Sequence, residues 1–122
     1  MKRYSEDHQW AELDGAHAVI GLSRYAAEEI GGVNFVELPE VGAQVAAGEP
    51  LCVIESMKAA ADVLSPLSGT VEEVNSVLAS RPALLNSAPE GEGWICRITL
   101  SAPAEADSLM TEEEYVEYLK TL

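Results

Sequence analysis

The sequence predicts a mainly β fold, a sandwich or barrel with short helices at its flanks. Three observations predict it. Turn residues punctuate the chain at short intervals, from Asp14-Gly15 and Gly31-Gly32 through Pro39, Gly42, Gly48, Pro50, Pro66 and Gly69 to Pro82, Pro89, Gly91 and Gly93. The segments between them are short and strand-like, and many short strands at regular spacing read as a sandwich or barrel. At 122 residues, the chain fits one domain over 1–122 with a single core.

The elements follow in order. Residues 18–22, Ala-Val-Ile-Gly-Leu, form a strand after the Asp14-Gly15 turn. Residues 23–30 are a helix with a Ser cap and a stop at Gly31-Gly32. A strand over 33–38 is closed by Pro39. Strands at 51–54 and 62–64 make a hairpin over about 51–64 whose tip holds Glu55-Ser56-Met57-Lys58-Ala59. Pro66 and Gly69 shape the turn into a strand at 69–74. Residues 75–88, broken by Pro82, give one or two short turns of helix. In a strand over 94–100, Trp94, Cys96, Ile98 and Leu100 share one face.

The last helix, about 111–121, is the best signalled. Thr111 and Glu114 form a capping box, with Met110 and Tyr115 at the positions of a hydrophobic staple. Tyr115, Tyr118, Leu119 and Leu122 then follow the spacing of a helical apolar stripe. This helix is expected to cover an edge or open face of the sandwich.

Composition narrows the function. Seven Lys and Arg stand against 21 Asp and Glu, for a net charge of −14. That balance argues against nucleic acid, which demands clustered cations, and against an anionic membrane surface. No apolar run approaches the ~20 residues of a membrane span, and the start lacks the apolar core of a signal peptide. The expected setting is the cytoplasm, and the expected state a monomer. Cys52 and Cys96, 44 positions apart, read as buried free thiols. With His8 and His17 also far apart, no metal site and no supported Cys-His nucleophile is expected. Paired catalytic carboxylates and a phosphate-cradling glycine loop are likewise absent, so the chain is read as no enzyme in its own right.

Lys58 is the unusual residue. It is one of few cations, yet it sits among Ser56, Met57, Ala59, Ala60 and Ala61. One reading is an ordinary exposed turn lysine. The other is an acceptor for amide attachment of a carboxylic-acid cofactor, which an unhindered tip lysine suits.

E-S-M-K-A-A-A-D, followed by S-P-L-S-G-T-V-E-E-V-N, resembles the lipoyl-attachment segment of the glycine cleavage H proteins. Y-S-E-D-H-Q-W, I-G-L-S-R-Y-A, F-V-E-L-P-E-V-G, L-L-N-S-A-P-E-G-E-G-W and T-E-E-E-Y extend the likeness through nearly the whole chain. The resemblance implies a flattened lipoyl/biotinyl-type β-sandwich (barrel-sandwich hybrid) and lipoate on Lys58, with Glu55, Ser56, Met57 and Ala59 forming the attachment segment. Glu55 would help a lipoate-attaching enzyme recognise the tip. The related biotin carriers share Met57 but carry a second Met where this chain has Ala59.

The resemblance further implies a non-catalytic swinging-arm carrier. Its partners would be glycine decarboxylase, aminomethyltransferase and lipoamide dehydrogenase, and its cargo an aminomethyl group. The loaded arm would dock in a cleft that includes His8, Gln9 and Asp62. The family usually reads His-Glu-Trp where this chain has His8-Gln9-Trp10, and Gly32-Val33-Asn34 and Ala61 also depart from its pattern. A neutral Gln9 cannot pair with a cationic amine. A second reading is therefore an H-like carrier of sulfur serving a heterodisulfide-reductase-like complex, whose cargo suits a neutral cleft.

Overall fold

A computed structural model describes residues 1–122. The chain runs through β1 (Lys2–Tyr4), β2 (Gln9–Asp14), β3 (His17–Leu22), α1 (Arg24–Ile30), β4 (Val33–Glu37), β5 (Gln44–Val45), β6 (Pro50–Ser56), β7 (Ala60–Leu64) and β8 (Gly69–Val74). It continues through α2 (Val77–Ser80), α3 (Leu84–Ser87), β9 (Cys96–Leu100), a 3-10 turn over Pro103–Ser108, β10 (Met110–Thr111) and α4 (Glu112–Leu119). Seven strands form one antiparallel sheet in the order β10-β1-β2-β3-β9-β8-β5, and three form a second in the order β4-β6-β7. The two sheets do not close into a barrel, so of the two expected architectures the sandwich holds.

The core is what the alternation in the strands creates. Ile20, Ile98 and Val71 from the large sheet and Val36, Ile54 and Val63 from the small one belong to a single cluster of 20 buried residues. A second cluster, Tyr4, Trp10 and Tyr115, joins β1 and β2 to the C-terminal helix. Its rings are specific: Tyr4 and Tyr115 stack at 4.4 Å, and the Trp10 indole N–H donates to the Pro89 carbonyl at 3.0 Å. Gly21, opposite Trp10, leaves the room, since a Cβ there would stand 2.8 Å from the indole.

The locally signalled elements form as read. Ser23 accepts from the Ala26 N–H to cap α1, which stops at Gly31 with φ of 79°. Gly15, with φ of 61°, takes the first place of the two-residue β2–β3 loop, where only a residue tolerant of positive φ fits. Pro82 separates α2 from α3. At α4 the capping box is complete: the Glu114 N–H donates to Thr111 Oγ1 at 3.2 Å, and the Thr111 N–H donates to Glu114 Oε1 at 2.9 Å. Met110 and Tyr115 both join the second cluster, as a staple requires. α4 packs on β1 and β10 and so covers that edge of the large sheet. Thr111→Ala is expected to lower stability by about 0.5–2 kcal/mol, the usual range for a lost cap. Denaturant unfolding would check this, and an unchanged midpoint would contradict it.

Four expectations need correction. Trp94 does not share the inner face of β9; it precedes the strand and packs against the outer aromatic cluster, while Ile95 and Cys96 are both buried. The irregular chain before β9 breaks the alternation that spacing implied. Leu122 lies beyond the end of α4 and is 62% exposed, so the apolar stripe ends at Leu119. Gly69 is not a turn residue: it opens β8, where a Cβ would come within 2.3 Å of the Thr99 carbonyl oxygen. The hairpin strands also run further than expected, leaving only Met57, Lys58 and Ala59 at the tip.

Four strands carried no signal. β1, β5 and β10 are short and gain their order from pairing partners distant in sequence, such as Tyr4 with Met110 and Gln44 with Thr70, while β2 is held between its chain neighbours β1 and β3.

Candidate functional site

The β6–β7 hairpin builds the tip. Glu55 pairs with Ala60, and the Ser56 N–H donates to the Ala59 carbonyl at 2.8 Å, closing a tight turn over Met57 and Lys58. Ser56 then fixes the loop from inside: its Oγ accepts from the Lys58 and Ala59 N–H groups, both at 3.2 Å, and donates to the Ala59 carbonyl. A serine does this because its hydroxyl both donates and accepts. Met57 is 88% exposed, and Lys58 and Ala59 are exposed beside it. Glu55 belongs to the strand rather than the tip, with its side chain in solvent.

The Lys58 side chain is not free in solvent. Its Nζ donates to the Glu29 carbonyl at 3.2 Å, close to the C-terminal end of α1. Helix-end carbonyls lack intrahelical donors, so a cation is at home there. Gly31, with φ of 79°, lies under this side chain, and a Cβ on it would stand 3.0 Å from Lys58 Cε. Asn86 holds this corner: its amide donates to the Gly31 carbonyl at 2.7 Å and its oxygen accepts from the Val33 N–H at 2.8 Å. Sequence reading missed Asn86, since its partners lie more than 50 positions away.

Beside the hairpin lies an open cleft of about 320 Å³. Leu22, Ile30, Ile54 and Val63 give it apolar walls, and Asp7, His8, Gln9, Tyr25, Glu29 and Asp62 give it polar ones. The three residues expected at a cleft, His8, Gln9 and Asp62, are thus brought together. Glu29 and Asp7 were not anticipated. Glu29 sits on the α1 turn nearest Lys58, and a run of acids in the sequence gave no hint which of them would face inward.

Gln9 has a structural occupation. It is 3% exposed, its Oε1 accepts from Ser5 Oγ at 2.7 Å, and its Nε2 donates to the Asp7 carbonyl at 2.7 Å. The amide therefore serves the Ser5–Gln9 turn, with one bond at each of its two ends. Nor is the cleft neutral, as Gln9 alone had suggested. Asp7 and Glu29 bring acidic side chains to its lining, and Asp62 stands on β7 at its edge, opposite Val53.

His8 adopts φ of 69°, the only non-glycine residue with positive φ. Its Nδ1 lies 2.8 Å from the Tyr115 hydroxyl, which in turn lies 2.7 Å from Ser23 Oγ. This chain ties the cleft wall to the C-terminal helix and to the cap of α1. Burial lowers the His8 pKa against the opposing pull of Asp7 and Glu29, so the ring stays neutral further into acid than a free imidazole. The cysteines take no part: burial pushes the Cys96 thiol up to about 12 and that of Cys52 higher still, which leaves them inert core groups.

A tip lysine beside an acidic cleft on a two-sheet sandwich has close relatives. The family model described as glycine cleavage H-protein matches residues 2–122. This chain belongs to the glycine cleavage H-protein family. Among its relatives, the glycine cleavage system H protein of Xanthobacter autotrophicus is 50% identical over 120 residues, covering 98% of this chain and 96% of that one. The protein of the same name from Thermotoga maritima is 44% identical over 118 residues, with 97% and 95% covered. A crystal structure of a glycine cleavage system H protein from Mycobacterium marinum superposes with a TM-score of 0.88 at 34% identity, covering 98% of this chain and 96% of that one. The H-protein fold is therefore shared over nearly the whole length. No helix is long and apolar enough to cross a membrane.

Proposed function

We propose that this H protein carries lipoate as an amide on Lys58 and ferries the aminomethyl group of glycine between the enzymes of glycine cleavage. The observation that carries the reading is an exposed tip lysine whose amine rests at the rim of a cleft with acidic residues in its lining. The residues present fit the group. The three-residue tip leaves Nζ accessible to an acylating enzyme, and the apolar walls of the cleft suit the hydrocarbon part of an arm. Amide formation joins Nζ to the acyl carbon as the bond to the activating group breaks and Nζ loses a proton. Lipoate, once bound, supplies a redox-active dithiolane at the end of a long tether, and a tethered group has a high effective concentration within its reach.

The chain's own residues do the rest. Ser56 rigidifies the tip so that the amine is presented in one place. Asp7 and Glu29, with Asp62 at the edge, provide negative charge for a cationic amine cargo, a role that Gln9 leaves open. Charge-assisted hydrogen bonds from such an amine are roughly twice as strong as neutral ones. The sulfur-carrying alternative rested on a neutral cleft, and with these acidic residues at the cleft it gains no support. The partners on this reading are a lipoate-attaching enzyme, glycine decarboxylase, aminomethyltransferase and lipoamide dehydrogenase. Intact-mass measurement after incubation with a lipoylating system should find a single lipoyl amide, and peptide mapping should place it on Lys58. A lipoyl group elsewhere, or none, would overturn the assignment.

A further inference from the structure

We propose that the outer face of the three-stranded sheet, centred on Phe35, is the surface on which the enzyme that acylates Lys58 docks. The proposal rests on the reading of Lys58 as the acylated residue. Val33 pairs with Ser56 and Phe35 pairs with Glu55, so β4 holds one residue more than β6 across this stretch. Such a bulge re-aims side chains. Here it turns Asn34 and Phe35 outward together, between the buried Val33 and Val36. The only phenylalanine of the chain is left 50% exposed.

Directly opposed residues of an antiparallel pair share a face. Phe35 therefore stands beside Glu55, with half-buried Val53 on the diagonal and with Glu37 and Asp62 on either side of Val53. Neither Glu37 nor Glu55 takes part in an ion pair, whereas Glu12, Glu72, Glu90 and Glu117 do. An apolar centre bordered by unpaired carboxylates is complementary to an apolar pocket ringed by Arg and Lys.

Distance selects the occupant. Glu55 precedes Lys58 by three residues, so at roughly 3.3 Å per residue the Phe35 row lies about 10 Å from the tip. Partners that act at the end of a swinging arm work an arm's length from Lys58 and have no need to cover this face. The acylating enzyme alone must bring its reaction centre to Nζ. An interface of ordinary size, about 800 Å² on each partner, then extends over Phe35. An exposed aromatic at the middle of such a contact is the kind of residue that anchors it.

The test measures the rate of lipoyl transfer to wild type, Phe35→Ser, Phe35→Leu and, as a control, Val41→Ser, whose side chain is 63% exposed in the loop between β4 and β5. Phe35→Ser should lower kcat/KM for acylation at least about ten-fold, the effect expected of a central aromatic anchor. Phe35→Leu should retain most of the rate, and Val41→Ser all of it. Raising the ionic strength should slow wild type and Phe35→Leu alike. A Phe35→Ser protein acylated at the wild-type rate would overturn the docking face and leave Lys58 standing. So would a Phe35→Ser defect that appears only in glycine-dependent loading of already acylated protein. A wild-type chain that takes no acyl group would overturn the lysine assignment, and the docking face with it.

Discussion

Lys58→Arg is expected to fold as wild type and to accept no lipoyl group at all. Arginine preserves the charge, and its guanidinium can still reach the Glu29 carbonyl that receives Nζ in the native protein. It presents no acylable amine at neutral pH, because its proton is not lost there. The tip itself is closed by Ser56 and by the β6–β7 ladder, neither of which uses the lysine side chain. Intact mass checks the outcome alongside a denaturation curve. A lipoylated arginine variant would place the modification elsewhere, and an unfolded one would give Lys58 a structural role that its exposure speaks against.

Asn86→Ala should show the largest loss of stability among substitutions near the site. Its amide satisfies the Gly31 carbonyl and the Val33 N–H at once, joining α3 to the junction of α1 and β4. Truncation removes both partners, and leaving such groups unsatisfied costs about 1–3 kcal/mol. The Lys58 amine rests against this same corner, at the Glu29 carbonyl and over Gly31. The variant should nonetheless still be lipoylated, since the hairpin ladder holds the tip independently. Urea unfolding measures the first expectation. An unchanged midpoint would mean that other contacts fix the 31–33 corner.

What was legible in the sequence was local. The Ser23 and Thr111 caps, the break at Pro82 and the position of Lys58 between two strands all depend on neighbours a few residues away, and all appear where the residues placed them. What was illegible depends on partners brought in by the fold. Glu29 lines the cleft because the fold brings α1 and β7 to it together, and Asn86 reaches a corner 53 positions earlier in the chain. The Phe35 bulge arises from a register shift against β6 and leaves no mark in the composition of β4. Gln9 was the most misleading residue. As a neutral amide in a position expected to be acidic it implied a neutral cleft, yet its side chain is bonded to Ser5 and the Asp7 carbonyl, and the acidic residues of the lining come from elsewhere.

Those acidic residues carry the central claim, that the lipoylated arm receives an amine from glycine. Glycine-dependent loading of protein fully lipoylated on Lys58, measured with glycine decarboxylase beside an established H protein, tests it most directly. Loading at a comparable rate is the expected result, with one aminomethyl group gained for each lipoyl arm. Near-zero loading of a fully lipoylated, folded chain would contradict it.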